Sequence, residues 1–181
     1  QGESGDSSLV ILRSYNGTTD LLLEVTGVQG LELRDFTMDM QGDIWTGSNS
    51  FKFIGCDSLL IRNCVFNNNP YNGSNSTHSR TDRLYVEGGK GVRVKECNFS
   101  LTTRVFFYDM LAFPISNFMF LDNEGVRGVY CYSHASTTSS ISGLIKNNTF
   151  ENARIEVELT TSSSDTLEFE NNDINLSSNI T

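Results

Sequence analysis

One eight-residue pattern returns six times along the chain, and few architectures accommodate it. Its first residues are Leu31, Leu59, Val92, Phe118, Gly143 and Leu167, spaced by 28, 33, 26, 25 and 24 residues. The third position is apolar throughout: Leu33, Ile61, Val94, Phe120, Ile145 and Phe169. The eighth is Met38, Phe66, Phe99, Gly125, Phe150 and Ile174, apolar except at the glycine. Between them lies a bend pair. Its first member is Asp35, Asn63, Glu96, Asp122, Asn147 and Asn171; its second is Phe36, Cys64, Cys97, Asn123, Asn148 and Asn172. A polar position between two short apolar runs predicts a bend, because Asn and Asp tolerate left-handed backbone.

A third strand lies eight residues upstream, at Leu23 and Val25, Phe51 and Phe53, and Leu84 and Val86. The segments 104–109, 128–133 and 154–159 continue it. Each unit therefore reads as three short strands and three bends in about 25 residues. A single unit cannot bury its own apolar face, so units stack into three parallel sheets around one core. The competing arrangement is an antiparallel β-sandwich, which has no reason to keep one bend chemistry at a near-fixed period.

Composition agrees. Asn occurs 18 times and Ala three times in 181 residues, an inventory suited to strands and turns rather than helices. A single all-β domain over 1–181 is expected, with long loops at about 41–50, 67–82, 110–117 and 134–142. The net charge of −9 disfavours nucleic acid as a partner. No apolar run reaches the roughly 18 residues of a membrane span. No amphipathic segment precedes Leu9, and 175–181 holds little that is apolar. The expectation is a fragment of a longer helix, or ends capped by partner chains.

The repeat, apolar-x-apolar-basic-Asn-Asn/Cys-x-Phe in outline, resembles right-handed parallel β-helix proteins of the pectin-lyase-like superfamily. That group includes polysaccharide lyases and hydrolases and bacteriophage tailspikes. The resemblance implies a right-handed parallel β-helix, and the six repeats set its expected length at about six rungs. It also implies a polysaccharide or glycan partner, an extracellular or virion-surface location, and compatibility with a homo-oligomer, a trimer if tailspike-like.

The chemistry is less constrained. Cys64 and Cys97 share one column on adjacent units, as two buried thiols or a bridge. No CxxC or Cys/His spacing suggests a metal, and neither metal nor cofactor is expected. His78 and His134 lie in Ser/Thr-rich loops, read as solvated. Arg34, Arg62, Lys95 and Lys146 form an outward basic column, read as a solvated face. The loop 67–80 is long and polar, and its residues indicate no particular chemistry.

The third strand offers the better surface. If Val105, Phe107, Val129 and Cys131 face inward, alternation turns Phe106, Tyr108, Tyr130 and Tyr132 outward, joined by Tyr85. Exposed rings in a row call for a partner. Carbohydrate is the expected one, held by Tyr85, Tyr108, Tyr130 and Tyr132 with Arg83, Arg104 and Glu158. A subunit interface is the plainer account. For hydrolysis, two carboxylates would have to flank the bond; Asp109 and Glu156 are the expected pair. Whether the chain is an enzyme is left open. The alternative is a non-catalytic structural or adhesive solenoid, such as a tail-fibre shaft or surface adhesin.

Overall fold

Asp35, Asn63, Glu96, Asp122, Asn147 and Asn171 all hold positive φ, between 49° and 59°. These are the first bend residues of the six repeats, and each turns the chain from one sheet into the next. The computed structural model describes residues 11–13, 23–40, 51–68, 83–99, 104–109, 114–133, 140–158 and 166–175. Among them every strand pair is parallel and there is no helix. The chain is an all-β parallel solenoid.

Sheet A holds β1 (Ile11–Arg13), β4 (Thr37–Met40), β7 (Val65–Asn68) and β11 (Asn98–Phe99). Sheet B holds β2 (Leu23–Thr26), β5 (Phe51–Ile54), β8 (Arg83–Glu87), β12 (Arg104–Tyr108), β14 (Val126–Tyr132), β16 (Thr149–Glu158) and β18 (Asp173–Asn175). Sheet C holds β3 (Glu32–Arg34), β6 (Leu60–Arg62), β10 (Arg93–Lys95), β13 (Ile115–Leu121), β15 (Ile141–Lys146) and β17 (Thr166–Glu170), with β9 (Gly89–Lys90) pairing the start of β13.

The expected six rungs are corrected to about four complete turns, the number of strands in sheet A. A change of register at Gly125 accompanies this. The pattern aligns this glycine with Phe99, but Val126 occupies the interior position and pairs with Phe150. Gly125 is the extra residue, at φ 71°, and a Cβ there would sit 2.2 Å from the Phe99 carbonyl oxygen. Beyond this point the third face runs straight into sheet B through β14 and β16. β13 begins at Ile115 and β15 at Ile141, before the ends of the loops expected over 110–117 and 134–142.

The main interior column is in register from Leu33 through Ile61, Val94, Phe120 and Ile145 to Phe169. Its four central members are fully buried. Each is worth about 1.5–3 kcal/mol relative to exposure. Phe169, on the last described strand of sheet C, is 43% exposed. A neighbouring column trades volume between turns. The Phe118 ring stacks on Phe107 at 4.1 Å and 14°, and it fills the space where a Cβ on Gly143 would stand, 2.4 Å from ring atoms.

The second bend residues form two kinds of ladder. Cys64 and Cys97 are buried thiols. From Asn123 onward the column becomes an amide ladder. The Asn148 side chain accepts from the backbone and side-chain nitrogens of Asn123 at 3.0 and 2.9 Å. It donates to the Phe120 carbonyl at 2.9 Å and to Asn172 Oδ1 at 3.0 Å.

Candidate functional site

The outer face of sheet B is built by register alone. Lys52 pairs with Tyr85, Tyr85 with Phe106, Phe106 with Tyr130, and Tyr130 with Glu156. Two residues along the strands, Glu87 pairs with Tyr108, Tyr108 with Tyr132, and Tyr132 with Glu158. Parallel strands lie about 4.8 Å apart, so the side chains of each row stand side by side.

In the first row the rings stack on one another. Phe106 lies 5.7 Å from Tyr85 and 4.5 Å from Tyr130, with ring planes 29° and 10° apart. Both faces of Phe106 are thus covered. Lys52 Nζ stands 5.8 Å from the Tyr85 ring centroid and Arg104 Cζ 5.8 Å from that of Tyr130, cations over ring faces. The expectation that Tyr130 is exposed needs qualification. It points outward, as alternation requires, but is only 5% exposed, and Phe106 only 7%. Tyr85, Tyr108 and Tyr132 are half-buried.

The second row is more open. The Tyr108 ring is 6.0 Å from Tyr85 and meets Tyr132 at 6.1 Å and a steep 61°. The Tyr132 hydroxyl donates to Glu156 Oε1 at 3.0 Å. Glu158 is exposed at the end of the row. Lys52 Nζ lies 2.8 Å from Oε2 of the buried Glu87. The second row therefore runs from Glu87, ion-paired to Lys52 of the first row, across two tyrosines to Glu158, with Glu156 of the first row bonded to the Tyr132 hydroxyl.

Asp109 and Glu156 are not brought together on one solvent face. Asp109 follows Val105 and Phe107 in the inward alternation and is fully buried. It occupies the corner held by Gly88 one turn earlier, its N–H donating to the Tyr132 carbonyl as that of Gly88 does to Tyr108. Glu156 belongs to the outer face. Arg83 pairs with Arg104 in register, while its side chain lies outside the described residues, as do His78, His134 and the loop 69–82.

The basic column stacks as Arg34, Arg62 and Lys95, interrupted by Leu121 before Lys146. Each of these cations is ion-paired: Arg34 with Glu32 at 3.5 Å, Arg62 and Lys95 with Glu96 at 2.7 and 3.4 Å, and Lys146 with Glu170 at 2.6 Å. The hydrogen bond from Arg62 holds the Glu96 carboxyl below its ordinary range. Among the described residues no group of three or more His, Cys, Asp or Glu is arranged to hold a metal.

Lys52 and Glu87 escaped the sequence reading. The signal was available: the step of 33 residues that aligns Leu59 with Val92 also sets Lys52 beneath Tyr85. No family model, no curated protein and no solved structure matches the chain.

Proposed function

We propose that this chain is a glycan-recognising β-solenoid and that the outer face of sheet B makes the contact. The observation that carries this reading is the half-buried row Tyr108–Tyr132, bordered by Glu156 and Glu158. A tyrosine offers an apolar ring and a hydroxyl at one site. Carboxylates accept hydrogen bonds from sugar hydroxyls. A sheet holds both without the ordering cost of a loop. The resemblance to pectin-lyase-like β-helices favours a polysaccharide, met at an extracellular or virion surface, with a homo-oligomer compatible with it. Recognition without cleavage is the simpler form of the proposal, because Asp109 is buried and Glu156 lies on the outer face.

A glycan array probed with the wild-type protein and with Tyr108→Ala tests this. Retention of one glycan class by the wild type alone supports it. No retention by the wild type overturns it. A reducing-sugar assay on any glycan retained separates binding from hydrolysis.

A second reading, a structural or adhesive solenoid, is favoured by the stacking of Tyr85, Phe106 and Tyr130 on one another. In that case the rings are a packing device. Tyr108→Ala would then leave the glycan profile blank in both proteins and change only stability or sedimentation mass.

A further inference from the structure

We propose that Cys64 and Cys97 form a redox-modification site, closed by an oxidant of the disulfide class into a covalent staple between two successive turns. The pairs flanking them are in register on both sides: Arg62 with Lys95, Val65 with Asn98, and Phe66 with Phe99. The Cys64 carbonyl accepts from the Asn98 N–H at 2.9 Å. In-register parallel strands set the two Cα atoms about 4.8 Å apart, inside the roughly 4.4–6.8 Å that a disulfide spans. The Cα spacing is thus one that the bond can span.

The remaining cysteines serve as internal controls. Cys131 pairs in register with Phe107 and Val157. Cys56 lies at a corner whose counterpart one turn on is Gly89. Neither has a cysteine above or below it.

The two thiols of the pair are inequivalent. Each lies against the carbonyl two residues before it, Cys64 Sγ 3.2 Å from Arg62 O and Cys97 Sγ 3.2 Å from Lys95 O. The neighbouring Cys97 thiol, the largest influence on it, holds Cys64 below the ordinary thiol range. Burial first, then the neighbouring Cys64 thiol, pushes Cys97 well above it. As part of the proposal Cys64 attacks first, and the single-cysteine variants test that order. Its thiolate attacks one sulfur of the oxidant, whose S–S bond breaks as a thiolate leaves with the electron pair. Cys97 then gives up its proton, attacks the Cys64 sulfur of the mixed disulfide, and expels the second thiolate. Two cysteine thiols are oxidised and one oxidant disulfide is reduced to two thiols. Both sulfurs are buried, so the bend must open locally before reaction.

The experiment uses the wild-type protein and oxidised glutathione. After incubation the protein is denatured in acid, alkylated, weighed intact and mapped by proteolysis. Two alkyl groups instead of four, with Cys64 joined to Cys97, is the expected result. Four alkyl groups, a persistent glutathione adduct, or a bond involving Cys56 or Cys131 overturns the proposal. Cys97→Ser and Cys64→Ser, each checked by circular dichroism, supply the second arm. A stable glutathione adduct is expected on Cys64 in the first, and at least tenfold slower modification of Cys97 in the second. Equal rates would refute the assignment of Cys64 as the attacking group. If either variant fails to fold, the wild-type map alone decides.

Discussion

The rings of Phe106 and Tyr130 lie 4.5 Å apart with planes 10° from parallel, and this divides the aromatic surface of sheet B into two rows of different character. A ring whose faces meet other rings turns only its edge to a ligand. Phe106 and Tyr130, 7% and 5% exposed, therefore stabilise the sheet, while Tyr108 and Tyr132, which also meet neighbouring rings, are half-buried and remain for contact. The division is measurable. Phe106→Ala should cost about 3–5 kcal/mol, the usual loss for a buried phenylalanine, read from the urea midpoint. Tyr108→Ala should cost less stability and about tenfold in affinity for whatever glycan the wild type retains, as one lost aromatic contact implies. A stability loss from Tyr108→Ala as large as that from Phe106→Ala would erase the division.

Gly143 is a position where the repeat itself misleads. The other members of its column are Leu31, Leu59, Val92, Phe118 and Leu167, so restoring the pattern with Gly143→Leu looks stabilising. The structure predicts the reverse, because the Phe118 ring already fills that volume. Overpacking of this kind costs about 1–3 kcal/mol. Thermal unfolding of Gly143→Leu should show a lower midpoint than wild type. A rise would mean that Phe118 leaves its stack on Phe107 without loss.

The contrast between these positions marks what the chain discloses before folding. Leu33, Ile61 and Val94 were legible as one column because alternation and a steady period point to the same residues. Asn63 and Asn147 were legible as bends because few residues adopt positive φ cheaply. The turn count was not, since β14 and β16 run through two faces of the solenoid, and no period records that. The burial of Tyr130 was not legible either. Alternation says which side of a sheet a ring takes, but not whether its neighbours cover it. Asp109 is different: it follows Val105 and Phe107 at the same two-residue step, so its inward position was already implied by the reading that placed those residues inside.

Asn148 should be the most sensitive polar residue in the fold. Its amide meets two groups of Asn123, the Phe120 carbonyl and Asn172. Asn148→Ala leaves buried partners unsatisfied, at about 1–3 kcal/mol each. A total loss of about 3 kcal/mol or more is expected in urea denaturation. Asn172→Ala, at the less buried end of the ladder, should cost clearly less. Equal losses would show that the ladder does not act through burial.

Glu96 carries a pH response within the bend column. Its carboxyl accepts from Arg62 Nε at 2.7 Å, and that hydrogen bond, the largest influence on it, lowers its pKa in the folded chain. Arg62 stays charged throughout, so only the carboxyl titrates. A folded pKa below the unfolded one means that the contribution is complete above the ordinary glutamate value of about 4.3. It is lost as pH falls through the folded value. The pair is solvent-exposed, so screening keeps the contribution small. The matched control is Glu96→Gln, which keeps the side-chain length at φ 55° while removing the titrating charge. The wild-type advantage over Glu96→Gln in urea midpoint should be present at neutral pH and shrink below about pH 4. It should also shrink in about 1 M salt. An advantage unchanged by both acid and salt would place the role of Glu96 in its backbone conformation rather than in its charge.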